Sequence, residues 1–350
     1  MKLFFKLTFI ITLLCSFTYA QKVYKLTMAT TWTSTQHPLI DTAEHMAKLA
    51  EELSNGQIKI RIDASNKHKS PFGVLDMVKG GQYDIAHTAS YYWKGKDIAV
   101  LPFSSMPFGM TAQELYAWFY NDGGMELAQK VFEKHGVYSF PGGNTGVQMG
   151  GWFRKEINTL DDLKGLKMRI PGFAGEVMAK LGVQAVTINP GELYTSLERN
   201  TIDALEWVSP SMDFVMGFHK VAPYYYTGWH EPGTEMQFVI NRKVFDKLPV
   251  HLQNVLKAAM KIAAYDMYIN NYDLNALAWE RMKKEYPDIK VRTFPKPIMD
   301  ALKKANAELR EEMKASSPEM KEVLDSQEAY QKKLRPWSEM SDYFYLKDNI

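Results

Sequence analysis

The sequence predicts an α/β protein of two similar lobes around a shared crevice, with one long helix running along both. Three observations carry that expectation. Short β-type runs alternate with amphipathic helical stretches as far as Asn241. A helix–turn–strand pattern occurs twice, as VKGGQYDIAHT (78–88) and LERNTIDALEW (197–207), so that Asp84 matches Asp203 and His87 matches Glu206. Past Leu248 the pattern stays helical as far as Pro287. Helix–turn–strand units can also look alike without being related. If the echo is real, both lobes end strands at one crevice, where open α/β sheets place ligands.

The elements follow in order. Residues 1–20, MKLFFKLTFIITLLCSFTYA, put Lys2 and Lys6 before an apolar stretch and small residues at Thr18 and Ala20. This reads as a cleaved secretory signal, too short for a membrane span. A mature chain starting near Gln21 follows, without Cys15, the sole cysteine. VYKLTMAT reads as a strand, and Leu39, Ala43, Met46, Ala50 and Leu53 mark a helix stopped by Asn55-Gly56. IKIRIDAS, YDIAHTAS, LKMRIPG, TIDALEW and MQFVIN are further strand-like runs. In the long helix Leu252, Val255, Leu256, Ala259 and Ala263 form an apolar stripe, which Tyr265, Tyr268, Tyr272, Ala276 and Trp279 are expected to continue. Its length is about 50 Å, more than one lobe needs. The C-terminal region is helical, with mixed charges and a sparse apolar face.

Charge excludes some functions. The chain has 42 basic and 40 acidic residues, and loss of Lys2 and Lys6 with the signal brings the two counts level. Nucleic acid or an anionic membrane surface is therefore not an expected partner. After Ala20 no apolar stretch is long enough to span a bilayer. Without cysteine there is no thiolate metal site, and the Gly-x-Ser-x-Gly, His-Glu-x-x-His, phosphate-loop and dinucleotide motifs are absent from the sequence.

What remains is polar residues at strand ends. Arg169 ends GLKMRIPG, where its fork of donors suits a carboxylate, although an ordinary surface ion pair explains that stretch better on its own. GGNTGVQMGGWF (142–153) sets Asn144 and Gln148 among glycines, which read alone as a flexible turn. GWHEPG (228–233) puts Glu231 in a tight loop, where an exposed turn acid is the plain alternative. Glu206 in TIDALEWVSP follows an apolar run, and a buried carboxylate there needs a partner from elsewhere.

These blocks, with LKGLKMRIPGFAGEVMAKLG, FHKVAPYYYTGWHEPG and MQFVIN, resemble in order and spacing the solute-binding proteins of tripartite ATP-independent periplasmic (TRAP) transporters. The resemblance covers nearly all of the mature chain. It is strongest to the branch that binds 2-oxo acids such as pyruvate, with lactate binders as near relatives. It implies a two-lobed periplasmic binding protein. The corresponding boundaries are 21–146 plus 229–265 for lobe I, 147–228 plus 266–325 for lobe II, and 326–350 for a C-terminal helical extension that can pair two copies. It also implies that Arg169 clamps the substrate carboxylate, with Asn144 and Tyr92 as further contacts and Phe173 as a wall. A metal ion beside the substrate is implied to be held by Gln148, Glu206, Trp207 through its backbone carbonyl, and Glu231, with Gln148 and Trp207 also bordering the substrate.

Charge counting supports the ion separately. Glu206, Glu231 and a bound carboxylate bring three negatives against one arginine, a severe repulsion in a closed cleft. Oxygen ligands suit a hard cation, sodium or calcium, between which the sequence does not choose. The expected function is extracytoplasmic capture of a small 2-oxo or 2-hydroxy monocarboxylate and its delivery to one small and one large membrane subunit. The competing reading is a metal-dependent periplasmic enzyme using Glu206 and Glu231 as an acid/base pair on 2-oxo acids or carbohydrates. No nucleophile or proton relay in the sequence supports it.

Overall fold

A computed structural model describes residues 21–349, so the signal expected at 1–20 lies outside the described residues. The chain forms two sheets. The first contains β1 (Tyr24–Thr30), β2 (Ile58–Asp63), β3 (Ile85–Thr88), β4 (Val137–Asn144) and β10 (Glu235–Asn241), in the order β2-β1-β3-β10-β4. The second contains β5 (Gly151–Phe153), β6 (Lys167–Arg169), β7 (Gln184–Val186), β8 (Ala204–Leu205), β9 (Tyr224–Tyr226) and β11 (Lys290–Arg292), in the order β11-β9-β5-β8-β6-β7. The first sheet is parallel across β2-β1-β3 and antiparallel where β10 joins β3 and β4. The expected α/β architecture is therefore present, with one sheet per lobe. No helix among the described residues is long and apolar enough to cross a membrane.

The internal echo is structural. In the first sheet Asp84 Oδ2 accepts from Thr27 N at 2.7 Å, while Asp84 N donates to Thr27 O at 3.0 Å. In the second, Asp203 Oδ2 accepts from Lys167 N at 3.0 Å, and Asp203 N donates to Lys167 O at 2.7 Å. The same aspartate clasp thus joins the parallel pair β1–β3 in one lobe and β6–β8 in the other. His87 and Glu206 stand three residues further on, at equivalent strand ends, and have different roles. His87 is fully buried: its Nδ1 accepts from Trp32 Nε1 at 3.0 Å and its Nε2 donates to Gly142 O at 2.8 Å. Burial holds its pKa down at about 4, so it is a neutral core group.

The chain passes between the sheets at residues 145–150, from β4 to β5, and again at 227–234, from β9 to β10. The helix Val250–Glu285 is a third bridge, 36 residues long and thus about 54 Å. It packs on the first-lobe helix Leu39–Leu53 and on the second-lobe helix Pro210–Met216. Asn271, fully buried on this bridging helix, donates to Thr145 O at 2.9 Å and ties it to the first crossing.

One expectation about this helix is corrected. Tyr265 and Tyr272 are 58% and 77% exposed, and the buried stripe continues instead through Ala264, Met267 and Asn271. Each of these precedes an aromatic of the expected stripe by one residue, so the aromatic row is turned about 100° away from the core. Near the C-terminus, the helix Pro318–Ser338 returns to the first lobe, where Ser326 Oγ accepts from Trp118 Nε1 at 3.0 Å and Gln327 donates to Pro102 O at 2.8 Å. The boundary expected at 325/326 falls inside this helix.

Candidate functional site

Parallel pairing sets Arg169, the last residue of β6, opposite Leu205 of β8, and Pro171-Gly172 then turns the chain into the helix Gly172–Lys180. Arg169 is 1% exposed, so the surface-pair alternative does not hold. Its Nη1 donates to the Glu206 carbonyl and lies 3.3 Å from Glu206 Oε2, while its Cζ stands 5.3 Å from the Trp207 ring. Nε and Nη2 are buried without a hydrogen-bond partner, which leaves one edge of the guanidinium as a free donor fork.

Glu206 follows β8 directly, and its Oε1 is buried and unpartnered. Glu231, from the second crossing, is 4% exposed and accepts from Thr234 Oγ1. Gln148, from the first crossing, is 2% exposed; its Nε2 donates to Thr145 Oγ1 at 3.0 Å, and its Oε1 is buried without a partner. The two crossings are joined by Gln148 N donating to Glu231 O at 2.9 Å. This close approach depends on glycine: a Cβ at Gly228 would collide with the Gln148 carbonyl, and one at Gly151, where φ is +110°, would lie 2.5 Å from Leu205 O.

Sequence reasoning missed His230. It is fully buried with both ring nitrogens unpartnered, and Nε2 lies 3.5 Å from Glu206 Oε1. Ligand atoms of Glu206, His230 and Glu231 lie within 4.8 Å of one another. The histidine adds a nitrogen to what had read as an all-oxygen set. A buried turn rather than an exposed one was the missing signal.

The electrostatics of the cluster are severe. Burial raises Glu206 well above the usual carboxylate range, opposed by the Arg169 charge. Burial and then the Glu206 charge push Glu231 up to about 7, and burial drops His230 to about 4. Each shift marks a charge that the site alone does not satisfy. The clustered Glu206 and Glu231 carboxylates, with Glu206 Oε1 and Gln148 Oε1 left without partners, offer oxygen donors that fit a hard cation.

Tyr92 lies in the single turn Ser90–Trp93 of the first lobe, and its hydroxyl is buried and unpartnered. Burial raises both Tyr91 and Tyr92, and both feel Arg169, Glu206 and Glu231, so Tyr91 belongs beside the site as well. Phe173, 2% exposed, opens the helix after Arg169. Asn144 is engaged otherwise: Nδ2 donates to Glu235 Oε2 at 3.0 Å and Oδ1 accepts from Gly146 N at 2.9 Å.

Residues 28–317 match the family described as bacterial extracellular solute-binding protein, family 7. The chain belongs to this family. It is 39% identical over 320 residues to a monocarboxylate 2-oxoacid-binding periplasmic protein of Nostoc sp. (strain PCC 7120), covering 91% of this chain and 87% of that one. A TRAP periplasmic solute-binding protein of Pseudoalteromonas atlantica T6c, crystallised with sodium and pyruvate, is 55% identical with a TM-score of 0.93. One from Colwellia psychrerythraea, crystallised with calcium and pyruvate, is 56% identical with a TM-score of 0.92. Each alignment covers 94% of this chain and 100% of the relative. The resemblance to TRAP solute-binding proteins is borne out, as is the two-lobed fold. Members of family 7 are solute receptors, which gives the enzyme reading no support.

Proposed function

We propose that this protein captures pyruvate, or a closely related 2-oxo monocarboxylate, in the periplasm and delivers it to the small and large membrane subunits of a TRAP transporter. The carrying observation is a buried arginine with a free donor edge beside two buried carboxylates: Arg169 meets Glu206 through Nη1 and keeps Nε and Nη2 free, while Glu231 lies close to Glu206. A monocarboxylate takes the fork through its two oxygens. The Tyr91 and Tyr92 hydroxyls are at hand as donors, and Phe173 and Trp207 form apolar walls suited to a small ligand.

Gln148 Oε1, Glu206, the Trp207 carbonyl and Glu231 would hold a sodium or calcium ion. When bound, the ion supplies the positive charge that lets two side-chain carboxylates and the ligand's own be buried together. Arg169, Glu206 and Trp207 belong to the second lobe, Tyr92 to the first, and Gln148 and Glu231 to the crossings, so lobe closure and completion of the site are one event. No bond is made or broken, and the ligand is returned unaltered. The exposed aromatic row on the C-terminal helical segment, including Trp337, Tyr343, Phe344 and Tyr345, supports pairing of two copies.

Calorimetry with pyruvate, in sodium or calcium and again after chelation and desalting, tests the reading. Tight binding that depends on the cation, with pyruvate recovered intact, is the expected result. Cation-independent binding or chemical conversion of pyruvate would overturn it.

A further inference from the structure

Asp213, on the short helix after Glu206-Trp207-Val208-Ser209, is absent from every role so far and is 1% exposed. Its Oδ1 accepts from Val208 N at 3.0 Å. Its Oδ2 accepts from Trp152 Nε1 at 3.0 Å and from Tyr225 OH at 2.8 Å. Trp152 and Tyr225 are fully buried on the adjacent strands β5 and β9, with rings stacked 4.0 Å apart. The carboxylate is thus anchored to the rigid interior of the second lobe, with one oxygen extended to the backbone beside Trp207.

We infer that Asp213 is the positioning residue of the cation site, setting the direction of the Trp207 carbonyl. This rests on the proposal that this carbonyl is a cation ligand. The Val208 N–H and the Trp207 C=O belong to one planar trans peptide unit, so they point in opposite directions. Holding the N–H on Asp213 turns the carbonyl away from the β5–β9 wall. The neighbouring units are pinned as well: Glu206 N donates to Arg169 O at 2.9 Å, and Val208 O accepts from Met149 N at 2.8 Å, directly after Gln148. A carboxylate on the N–H also polarises the peptide and builds negative charge on its oxygen, which a hard cation prefers.

Trp207–Val208 is the only Trp–Val step in the sequence. Protein grown with carbonyl-13C tryptophan and 15N valine therefore gives a single HNCO cross-peak, from this peptide unit. Calcium is expected to move the carbonyl shift of that peak. Asp213→Asn cannot accept from all three donors; it is expected to move the Val208 amide proton upfield and to weaken calcium binding about 10- to 100-fold in calorimetry. Glu206→Gln separates the two readings. If it leaves calcium affinity unchanged and the carbonyl shift ignores calcium in the unaltered protein, the cation site itself is wrong and the inference falls with it. If Glu206→Gln abolishes binding and the carbonyl responds, but Asp213→Asn binds calcium like the unaltered protein, the positioning role alone is overturned. Should Asp213→Asn not fold, Tyr225→Phe decides, since it withdraws one donor from the far oxygen. A moved Val208 peak with reduced affinity supports the inference, and no change in either overturns it.

Discussion

Arg169 Nη1 and Glu206 Oε2 lie 3.3 Å apart, and each side chain is 1% exposed. Both charges are out of water, yet only one corner of the guanidinium is spent on the pair. A buried pair of this kind is costly to break, since the surviving partner keeps its desolvation penalty. Arg169→Lys keeps a positive charge but replaces the fork with a point donor. Loss of one charge-assisted bond should weaken pyruvate binding by about 1.5–3 kcal/mol, roughly ten- to a hundredfold. Calorimetry measures this, and an affinity within twofold of the unaltered protein counts against the clamp.

Glu206→Gln retains shape and removes a negative charge from the cluster formed with Glu231 and His230. The protein should then retain less calcium after desalting, as read by elemental analysis. Chelation should lower its pyruvate affinity less than it lowers that of the unaltered chain, because less excess negative charge needs cancelling. A variant as sensitive to chelation as the parent would remove Glu206 from the ligand set.

β1, β2, β3, β10, the longer runs that contain β6 and β8, and the long helix were legible because their apolar periods are local, whereas β5, β7, β9 and β11, three residues each, are too short to show one. β4 was not legible either: Gly142 and Gly143 read as part of a flexible turn, yet with Pro141 they lie in an edge strand. There a bulge opposite Met236/Gln237 accommodates the extra residue, and an edge is where a sheet tolerates proline. The aromatic row of the bridging helix was misassigned because a shift of one residue turns a helix face by about 100°. Arg169, Glu206, Gln148 and Glu231 could be picked out as candidates only by taking several blocks together. The burial of His230 arises where two chain crossings meet, and the anchoring of Asp213 comes from Trp152 and Tyr225 on other strands, so neither leaves a local period.

Glu235 offers a prediction on stability. It is fully buried, and its Oε1 accepts from Gly142 N at 3.0 Å and Gly143 N at 3.1 Å. Burial nevertheless outweighs these donors and the Asn144 amide, and pushes it from 4.5 up to about 8. The folded state therefore holds this proton more tightly than the unfolded chain does. The resulting stability is fully present below about 4.5 and is lost as pH rises through about 8, with a slope of at most ~1.4 kcal/mol per pH unit. Denaturant titrations of the unaltered protein and Glu235→Gln should diverge across that window, the variant showing the flatter profile. Parallel profiles would mean that Glu235 is ionised in the fold.

Gly228 carries the last prediction, because it tests whether the crossings must touch for the site to form. A Cβ at this position would collide with the Gln148 carbonyl, which is backbone and cannot swing aside as a side-chain tip can. The next link, Gln148 N to Glu231 O at 2.9 Å, is what brings the two cation-ligand candidates of the crossings together. Gly228→Ala should therefore separate Gln148 from Glu231 at an overpacking cost of about 1–3 kcal/mol. That cost falls on whichever form holds the crossings in contact, so the population shifts away from it. Pyruvate affinity should drop about five- to a hundredfold, following that energy range. Small-angle scattering across a pyruvate titration should show contraction only at higher ligand concentration than in the unaltered chain. Normal affinity and normal contraction together would show that the crossings can part without harm to the site.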